Sequence, residues 1–296
     1  MRNQILTSLH SKMKYDDTLF FLTADMGIGL VDPFIRDFPD RYLNVGIAEQ
    51  SLIGVSAGLA HLGFRPFAYT ISNFAVHRCF EQLRNDVALH HLPITVLGTS
   101  CGYDNAPLGP THHVIDDWGV IACIPGIDVY CPLSVPHASI LVDSILRESR
   151  PTYVRIPKGE PKHNFELGDI VHIQGDTTDI ALIAYGSTVE NCLAAQKLHT
   201  ALSLIFLNRL VPLPPGLDTL ITQYRRVIVV EDHFSGSGLF SAIAKIIVSQ
   251  SIKTKIESLA PQTYSFTVGQ KPEYFHDLLG ISTTAILTRV NQYDGY

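Results

Sequence analysis

Hydrophobic positions along the chain follow two patterns in turn, and this alternation predicts an α/β fold. Continuous apolar runs at 18–23 and 93–99 are typical of strands buried in a parallel sheet. Between them, the segment 74–89 places Val76, Phe80 and Leu83 at helical spacing. Because strands and helices alternate, we expect mainly parallel sheets flanked by helices.

The same patterns divide the chain into two domains. Residues 1–157 contain five predicted strands with intervening helices, and residues 176–296 contain a second, smaller α/β alternation. The stretch between them, 158–175, is polar and rich in Pro and Gly, which is typical of a linker. With 296 residues, the chain is long enough for two domains that each bury a core.

Composition and charge exclude several classes of protein. A hydrophobic fraction of 46% with 17% charged residues is typical of a compact domain, and a net charge of -6 argues against a nucleic-acid partner. The five cysteines are scattered without zinc-ligand spacing, so we expect reduced thiols and no metal site in this chain. Apolar runs stay well below the roughly 18 residues of a membrane helix. Residues 1–14 do not resemble a signal peptide. We therefore expect a cytoplasmic protein that does not bind membranes.

One carboxylate, Glu49, begins a helix that is otherwise apolar and rich in small residues. Gly54, Ala57 and Gly58 on this helix leave room for a backbone or a flat ligand. Poor solvation there would raise the pKa of Glu49, which would let the carboxyl share a proton with a ligand nitrogen. The alternative is an ordinary acidic residue favoured by the helix dipole in the first turn.

Other candidate positions lie at strand ends and in one long loop. Asp25 follows the strand 18–23, where open α/β sheets place ligand contacts, although a turn or cap residue is the alternative. The loop 100–111 is rich in Gly, Pro, Asn and Asp, and loops of this length in compact domains tend to be functional. For the polar turn 231–233 in the second domain, we expect plain surface.

Several motifs together resemble the pyrimidine-binding domain of transketolases and deoxyxylulose-phosphate synthases. These motifs follow one another in the order and spacing of that domain, and they lie at 25–27, 46–50, 70–84, 108–112 and 126–155. The second half resembles the transketolase C-terminal domain, so the resemblance covers nearly the whole chain.

The resemblance also implies a missing part. Transketolases have an amino-terminal domain whose Gly-Asp-Gly and later Asn-Asn hold thiamine diphosphate through Mg²⁺, and neither motif occurs in this sequence. The chain thus resembles the carboxyl half of a split transketolase. We expect a separate partner subunit that holds most of the Mg²⁺ site, with two copies of each subunit (α2β2) and the cofactor at their interface.

Roles for individual residues follow from the resemblance. Glu49 matches the glutamate that hydrogen-bonds N1′ of the aminopyrimidine and so assists proton removal from the thiazolium, and Phe74 matches the ring that stacks on the pyrimidine. Asp25 matches an acid near the thiazolium. His112 matches the catalytic histidine that faces the donor carbonyl, and Arg155 matches an arginine that binds the acceptor phosphate.

Four positions depart from the family pattern and concern cofactor and substrate binding. Leu108 replaces an acid that hydrogen-bonds a sugar hydroxyl, Ser100 stands where transketolases have a phosphate-contacting histidine, and Gly29 replaces a serine. His77 aligns with an arginine of the deoxyxylulose-phosphate synthases, and its neighbour Arg78 is the alternative for that contact. With fewer phosphate ligands, we expect an acceptor other than a simple sugar phosphate.

The predicted function is one subunit of a thiamine-diphosphate-dependent transketolase-like enzyme that moves a two-carbon ketol or similar acyl-anion unit to a carbonyl acceptor. Three alternatives stay open at this point. They are the β subunit of a 2-oxo acid dehydrogenase, a two-subunit carboligase like deoxyxylulose-phosphate synthase, and a catalytically silent regulatory or assembly subunit.

Overall fold

The computed structural model describes residues 1–159 and 162–292 of the chain. The backbone forms two compact units. The first consists of Met1–Ser100 and Asp117–Asn164, and the second of Cys101–Asp116 and Phe165–Tyr296. Each unit is an α/β layer structure, so the predicted fold class is confirmed.

Parallel strands form the centre of the first unit, as the continuous apolar runs predict. They lie side by side in the order β5-β6-β4-β3-β1-β2, and neighbours pair in parallel throughout. The strands are β1 (Leu19–Thr23), β2 (Tyr42–Asn44), β3 (Arg65–Ile71), β4 (Thr95–Thr99), β5 (Asp128–Tyr130) and β6 (Thr152–Ile156).

Helices of the first unit cover the sheet and bury their apolar sides. Helices α1 and α7 pack against each other and contribute Leu6, Leu9, Leu141 and Ile145 to one core cluster with strand residues. Full burial of each such side chain contributes about 1.5–3 kcal/mol. The helices are α1 (Arg2–Met13), α2 (Asp32–Asp37), α3 (Glu49–His61), α4 (Ser72–His77), α5 (Phe80–Gln82), α6 (Asp117–Ile121) and α7 (Val135–Glu148).

The sequence predicts a single helix over 74–89, but in the structure this helix is interrupted, so the prediction is wrong in this respect. The break lies between α4 and α5 at Cys79, whose φ of -111° and ψ of 12° leave the helical region. After α5, Leu83–Ala88 forms a π-helical turn. Val76, Cys79, Leu83 and Val87 are all buried, so the apolar spacing continues across the break and conceals it in the sequence.

The second unit contains a mixed sheet in the order β12-β11-β8-β9-β7, in which only the pair β7 and β9 is antiparallel. The strands of this sheet are β7 (Ile170–Ile173), β8 (Ile180–Ala184), β9 (Ser203–Leu207), β11 (Arg226–Val230) and β12 (Lys255–Leu259). The short strand β10 (Arg209–Val211) lies outside this sheet. The helices of the second unit are α8 (Val189–Leu198), α9 (Leu217–Ile221), α10 (Leu239–Ser249), α11 (Pro272–Leu278) and α12 (Thr283–Asn291).

Part of the predicted linker 158–175 is therefore wrong, because Ile170–Ile173 is the edge strand β7. Only four residues long, and set among Gly and Asp residues, it is too short to stand out as a strand pattern.

One segment of the predicted first domain belongs to the second unit. We call Cys101–Asp116, which follows β4 and precedes α6, the His112 loop. The predicted domain 1–157 is therefore interrupted in space by this loop.

Helices long and apolar enough to cross a membrane are absent from residues 1–159 and 162–292.

Candidate cofactor and substrate site

The strand order of the first unit has a reversal point between β1 and β3. From β1 the chain proceeds to β2 on one side and then to β3 on the other, and open α/β sheets bind ligands beyond the carboxyl ends of strands at such a point. Asp25 follows β1 and Phe74 lies in α4 directly after β3. Two predicted site residues are thus carried by the two strands that flank this reversal.

Asn44, the last residue of β2, organises the turns around Asp25. Its Oδ1 accepts hydrogen bonds from the backbone N–H groups of Asp25, at 3.0 Å, and of Gly46, at 2.9 Å. Asp25 is exposed and has a φ of 48°, a conformation that Asp tolerates better than most residues. One amide side chain therefore fixes both the turn after β1 and the turn that leads into α3.

Glu49 is the first residue of α3, as predicted, and its side chain is buried with 4% exposure. The helix buries Leu52, Ile53 and Ala57. Gly54 and Gly58 have open space beside them, with no atom of the described chain within 4 Å of a Cβ placed there. A buried carboxylate therefore stands at the beginning of a helix that also has a small-residue surface, as the sequence predicts.

A planar cation, Arg78, contacts both Glu49 and Phe74. Its Nη1 donates a hydrogen bond of 2.9 Å to Glu49 Oε2, and its guanidinium carbon lies 3.8 Å from the centre of the half-buried Phe74 ring. One flat N–H donor thus reaches the carboxylate while it stacks on the aromatic face. An aminopyrimidine ring needs the same pair of groups, so the residues fit the pyrimidine part of thiamine diphosphate.

The family resemblance predicts a cofactor contact for His77, but the neighbouring Arg78 is the residue beside Glu49 in the structure. His77, predicted to bind cofactor, is exposed at the end of α4, whereas the neighbouring Arg78 makes the contacts with Glu49 and Phe74. Gln50 supports this arrangement, because its side-chain amide donates a 3.0 Å hydrogen bond to the Arg78 carbonyl. Arg78, and not His77, is therefore the residue that contacts Glu49 in this chain.

The prediction for Arg155 needs correction. Its guanidinium is 0% exposed, and its Nε lies 3.1 Å from both carboxylate oxygens of Asp117, which is equally buried. The Tyr153 hydroxyl donates a 2.6 Å hydrogen bond to the same carboxylate. The Arg155 guanidinium thus contacts Asp117 inside the first unit, and its buried position favours a structural role over contact with an acceptor phosphate.

Ser100 is likewise buried rather than open to a substrate. Its backbone has a φ of 70°, and its N–H donates a 3.1 Å hydrogen bond to the Ile156 carbonyl, which ties the end of β4 to the end of β6. This contact places Ser100 at the carboxyl edge of the sheet.

A cavity of about 350 Å³ lies in the first unit and was not foreseen from the sequence. Its lining includes Arg2, Thr99 and Lys158, which are distant in sequence and therefore give no motif. Two basic residues and a hydroxyl suit an anionic or hydroxylated ligand.

His112 and Leu108 lie on the His112 loop, which is part of the second unit. The His112 N–H donates a 2.9 Å hydrogen bond to the Gly109 carbonyl, closing a turn, and His112 Nδ1 lies 3.0 Å from Thr111 Oγ1. Leu108 is 57% exposed at the end of a short 3₁₀ helix, Ala106–Leu108. The loop thus presents an imidazole beside an exposed apolar side chain.

The polar turn 231–233 is buried, so the expectation of plain surface is wrong. Glu231 accepts hydrogen bonds from the backbone N–H groups of Leu239, at 2.8 Å, and Phe240, at 3.0 Å, and from the Tyr185 hydroxyl. Burial raises the pKa of Glu231 to about 7, although these three hydrogen bonds oppose the rise. Glu231 therefore caps the amino end of α10, which begins eight residues later at Leu239. The hydrophobic and polar pattern of the sequence does not reveal such a contact.

Clusters of three or more His, Cys, Asp or Glu side chains that could hold a metal ion are absent from the part of the chain that the structure describes. All five cysteines are free thiols, and Cys123 is exposed whereas the other four are buried.

Comparison with known proteins identifies both halves of the chain. Residues 1–162 match the family model described as the transketolase pyrimidine-binding domain, and residues 169–286 match the transketolase C-terminal domain.

Relatives include a "Putative transketolase C-terminal section" of Methanocaldococcus jannaschii, 31% identical over 82% of this chain and 80% of that protein. One of the subunits of an "Apulose-4-phosphate transketolase" of Actinobacillus succinogenes is 32% identical over 87% of this chain and 86% of its own length. A solved structure described as "Split gene transketolase, inactive beta4 tetramer" superposes with a TM-score of 0.85 at 24% identity, covering 98% of this chain and 97% of that one. The chain therefore belongs to the transketolase family of thiamine-diphosphate-dependent transferases.

Proposed function

We propose that this chain is the pyrimidine-binding subunit of a two-component transketolase-like enzyme that transfers a two-carbon ketol unit to a carbonyl acceptor. The observation that supports this proposal best is the arrangement of Glu49, Phe74 and Arg78. The buried Glu49 carboxylate and the Phe74 ring both contact the planar guanidinium of Arg78. A subunit with only an assembly role has no need of this combination of groups.

Thiamine diphosphate, when bound, supplies the carbanion chemistry of the transfer. Glu49 would share a proton with N1′ of the aminopyrimidine, and Phe74 would hold the ring flat at little cost in ordering entropy. Asp25, fixed by Asn44, would lie toward the thiazolium. His112 would donate a hydrogen bond to the donor carbonyl, where negative charge develops during the transfer.

A separate partner subunit is the second part of the proposal. The names of the relatives support it, and so does the outer face of α3. Ile47, which is 77% exposed, Ser51, Val55 and Gly58 form an exposed small and apolar strip beside Glu49. The inactive β4 assembly named for the similar split-gene protein suggests that this chain alone would be inactive too. The partner would hold Mg²⁺ and the diphosphate, with two copies of each chain.

An unusual sugar rather than a common sugar phosphate is the acceptor that we propose. Leu108 replaces the acid that would hydrogen-bond a sugar hydroxyl, and Arg155 is committed to Asp117. The cavity lined by Arg2 and Lys158 nevertheless suits an anionic substituent. An acceptor that is an uncommon sugar carrying an anionic group reconciles these observations.

Isothermal titration tests the proposal. Thiamine diphosphate with Mg²⁺ is titrated into this chain alone and into the chain mixed with its candidate partner, the product of the neighbouring gene. We expect binding only in the mixture, followed by ketol transfer in a panel of acceptors. Tight binding to this chain alone would contradict the split site, and transfer that strongly prefers glyceraldehyde 3-phosphate or ribose 5-phosphate would contradict the proposed acceptor class.

A further inference from the structure

The two arms of the His112 loop are hydrogen-bonded to each other, and the apolar side chains of the loop pack against α11. Gly102 and Val114 exchange two backbone hydrogen bonds, of 2.9 and 2.8 Å, so the two arms of the loop are joined at its base. Tyr103, Ala106 and Ile115 are buried, and they form a cluster with Phe275 of α11. The loop therefore shares a small core with the second unit.

Phe275 makes the central contact of that core. Its ring stacks on Tyr103 at 4.8 Å between centroids with an interplanar angle of 6°, and it meets the His113 ring edge-on at 4.8 Å and 67°. Tyr103 lies near the beginning of the loop and His113 near its end. Phe275 is 0% exposed. Its two ring partners also contact one another, at 5.0 Å between centroids, and they bracket His112 and Leu108 in sequence. One side chain of α11 thus packs against both arms.

Asp232 fixes the base of the loop from another side. It is buried after β11 and accepts a 2.6 Å hydrogen bond from the Ser187 hydroxyl. Gly102 packs so closely on it that a Cβ at position 102 would lie 2.0 Å from Asp232 Oδ2. The φ of Gly102 is 54°, so both conformation and space require glycine there.

Backbone hydrogen bonds complete the attachment. The Phe234 N–H donates to the Ile115 carbonyl at 2.7 Å, and the Gly269 N–H donates to the Pro107 carbonyl at 3.0 Å. The latter contact holds the loop one residue before Leu108. Three separate parts of the second unit therefore hold the loop: the turn after β11, the segment before α11, and α11 itself.

We propose that Phe275 and Asp232, both in the second unit, are positioning residues that act through His112. This inference rests on the proposed function of His112. Displacement of a catalytic group by about 1 Å can lower a rate about 100-fold. Loss of the Phe275 ring removes the packing contact that both arms share, so the imidazole would be held less rigidly, while the pyrimidine contacts of Glu49 and Phe74 stay unchanged.

The test compares Phe275→Leu with Phe206→Leu in the complete two-subunit complex. Phe206 is a matched control because it is equally buried in the second unit, in β9, and contacts Phe165 rather than the loop. Hydrogen–deuterium exchange is measured for the loop amides that make internal hydrogen bonds, those of Gly102, His112 and Val114. We expect exchange to rise at least about 10-fold in Phe275→Leu and to stay within about 2-fold in Phe206→Leu.

Kinetics and cofactor binding give the second measurement. We expect Phe275→Leu to lower kcat about 10- to 100-fold with an unchanged Kd for thiamine diphosphate, and Phe206→Leu to leave both values near those of the parent. In a His112→Ala background, Phe275→Leu should lower kcat no further. Equal loop exchange in the two Phe variants, or an undiminished kcat loss in the His112→Ala background, would overturn the inference. If the parent complex shows no ketol transfer at all, the proposed function fails, whereas the exchange comparison still decides whether Phe275 holds the loop.

Discussion

Arg78 and Glu49 form an ion pair of 2.9 Å in which the carboxylate is 5% exposed and the guanidinium about half exposed. The same guanidinium covers Phe74. In this chain by itself, Arg78 therefore occupies the two groups that the aminopyrimidine is proposed to use. Binding of the cofactor has to compete with an interaction internal to the subunit, and this competition leads to the first prediction.

Arg78→Met should tighten thiamine diphosphate binding in the two-subunit complex. A partly exposed ion pair contributes up to about 1 kcal/mol and an exposed cation–π contact about 0.5–1 kcal/mol, so their removal corresponds to roughly 2- to 30-fold in Kd. Isothermal titration measures the change. Arg84→Met is the control, because Arg84 is also exposed but bonds Asn85. Weaker binding in Arg78→Met would mean that Arg78 is a ligand of the cofactor.

Glu49→Gln should lower kcat by about 100- to 10,000-fold, since a general acid/base contact is lost while the size of the side chain is kept. Assembly with the partner should persist, as judged by size-exclusion chromatography. Glu81→Gln makes the same chemical change at an exposed position of α5 and should leave turnover unchanged. Unaltered turnover in Glu49→Gln would favour the silent assembly subunit.

Arg155→Met should lower the free energy of unfolding by about 3–5 kcal/mol, because it leaves the buried Asp117 carboxylate without its cation. Denaturant unfolding measures this loss. Arg36→Met removes a charge from an exposed pair with Asp37 and should change stability by less than about 1 kcal/mol. A stable Arg155→Met variant that loses affinity only for phosphorylated acceptors would restore the phosphate role.

Glu231 should make the second unit less stable as pH rises from about 4.5 to about 7. The folded-state pKa is raised to about 7 by burial from an ordinary value of 4.5, so the folded protein binds more protons than the unfolded chain within that window. The full effect is on the order of 3 kcal/mol. Unfolding of the parent and of Glu231→Gln is compared at pH 5 and pH 8. The parent should lose stability relative to the variant at pH 8, and parallel pH profiles would contradict the prediction.

Leu108→Asp should raise kcat/KM for acceptors such as ribose 5-phosphate, because it returns the carboxylate that most transketolases offer to a sugar hydroxyl. Leu108 is mostly exposed, so stability should change by less than about 0.5 kcal/mol. Leu108→Asn is the control, because Asn has nearly the size of Asp without its charge. Identical acceptor profiles in the parent and both variants would show that position 108 does not set specificity.

Sequence patterns predicted the parallel core well, because a strand buried on both faces has a continuous apolar run that is visible without its neighbours. The strand predicted over 18–23 is β1 within one residue, and the run predicted as a strand over 93–99 contains β4. Strand β12 was not predicted, since most of its residues are only half buried and include Lys255 and Glu257.

The site was predictable where chemistry is local and not where it depends on distant partners. Glu49 at the beginning of α3 follows from one short stretch of sequence. The burial of Arg155 depends on Asp117, which lies 38 residues earlier, and the attachment of the His112 loop depends on Phe275, which lies more than 150 residues later. No periodicity in the sequence encodes such pairs, so only the structure reveals them.

The membership of the His112 loop in the second unit bears on how members of this family can be recombined. A chimaera joined between the two family-model regions, after residue 162, would pair the loop of one parent with the α11 and Asp232 of another. In such a chimaera, Tyr103 and Phe275 come from different parents, so the core that they form would be mismatched. A hybrid should instead take residues 101–116 from the parent that supplies the carboxyl half, so the natural unit of exchange is discontinuous in sequence.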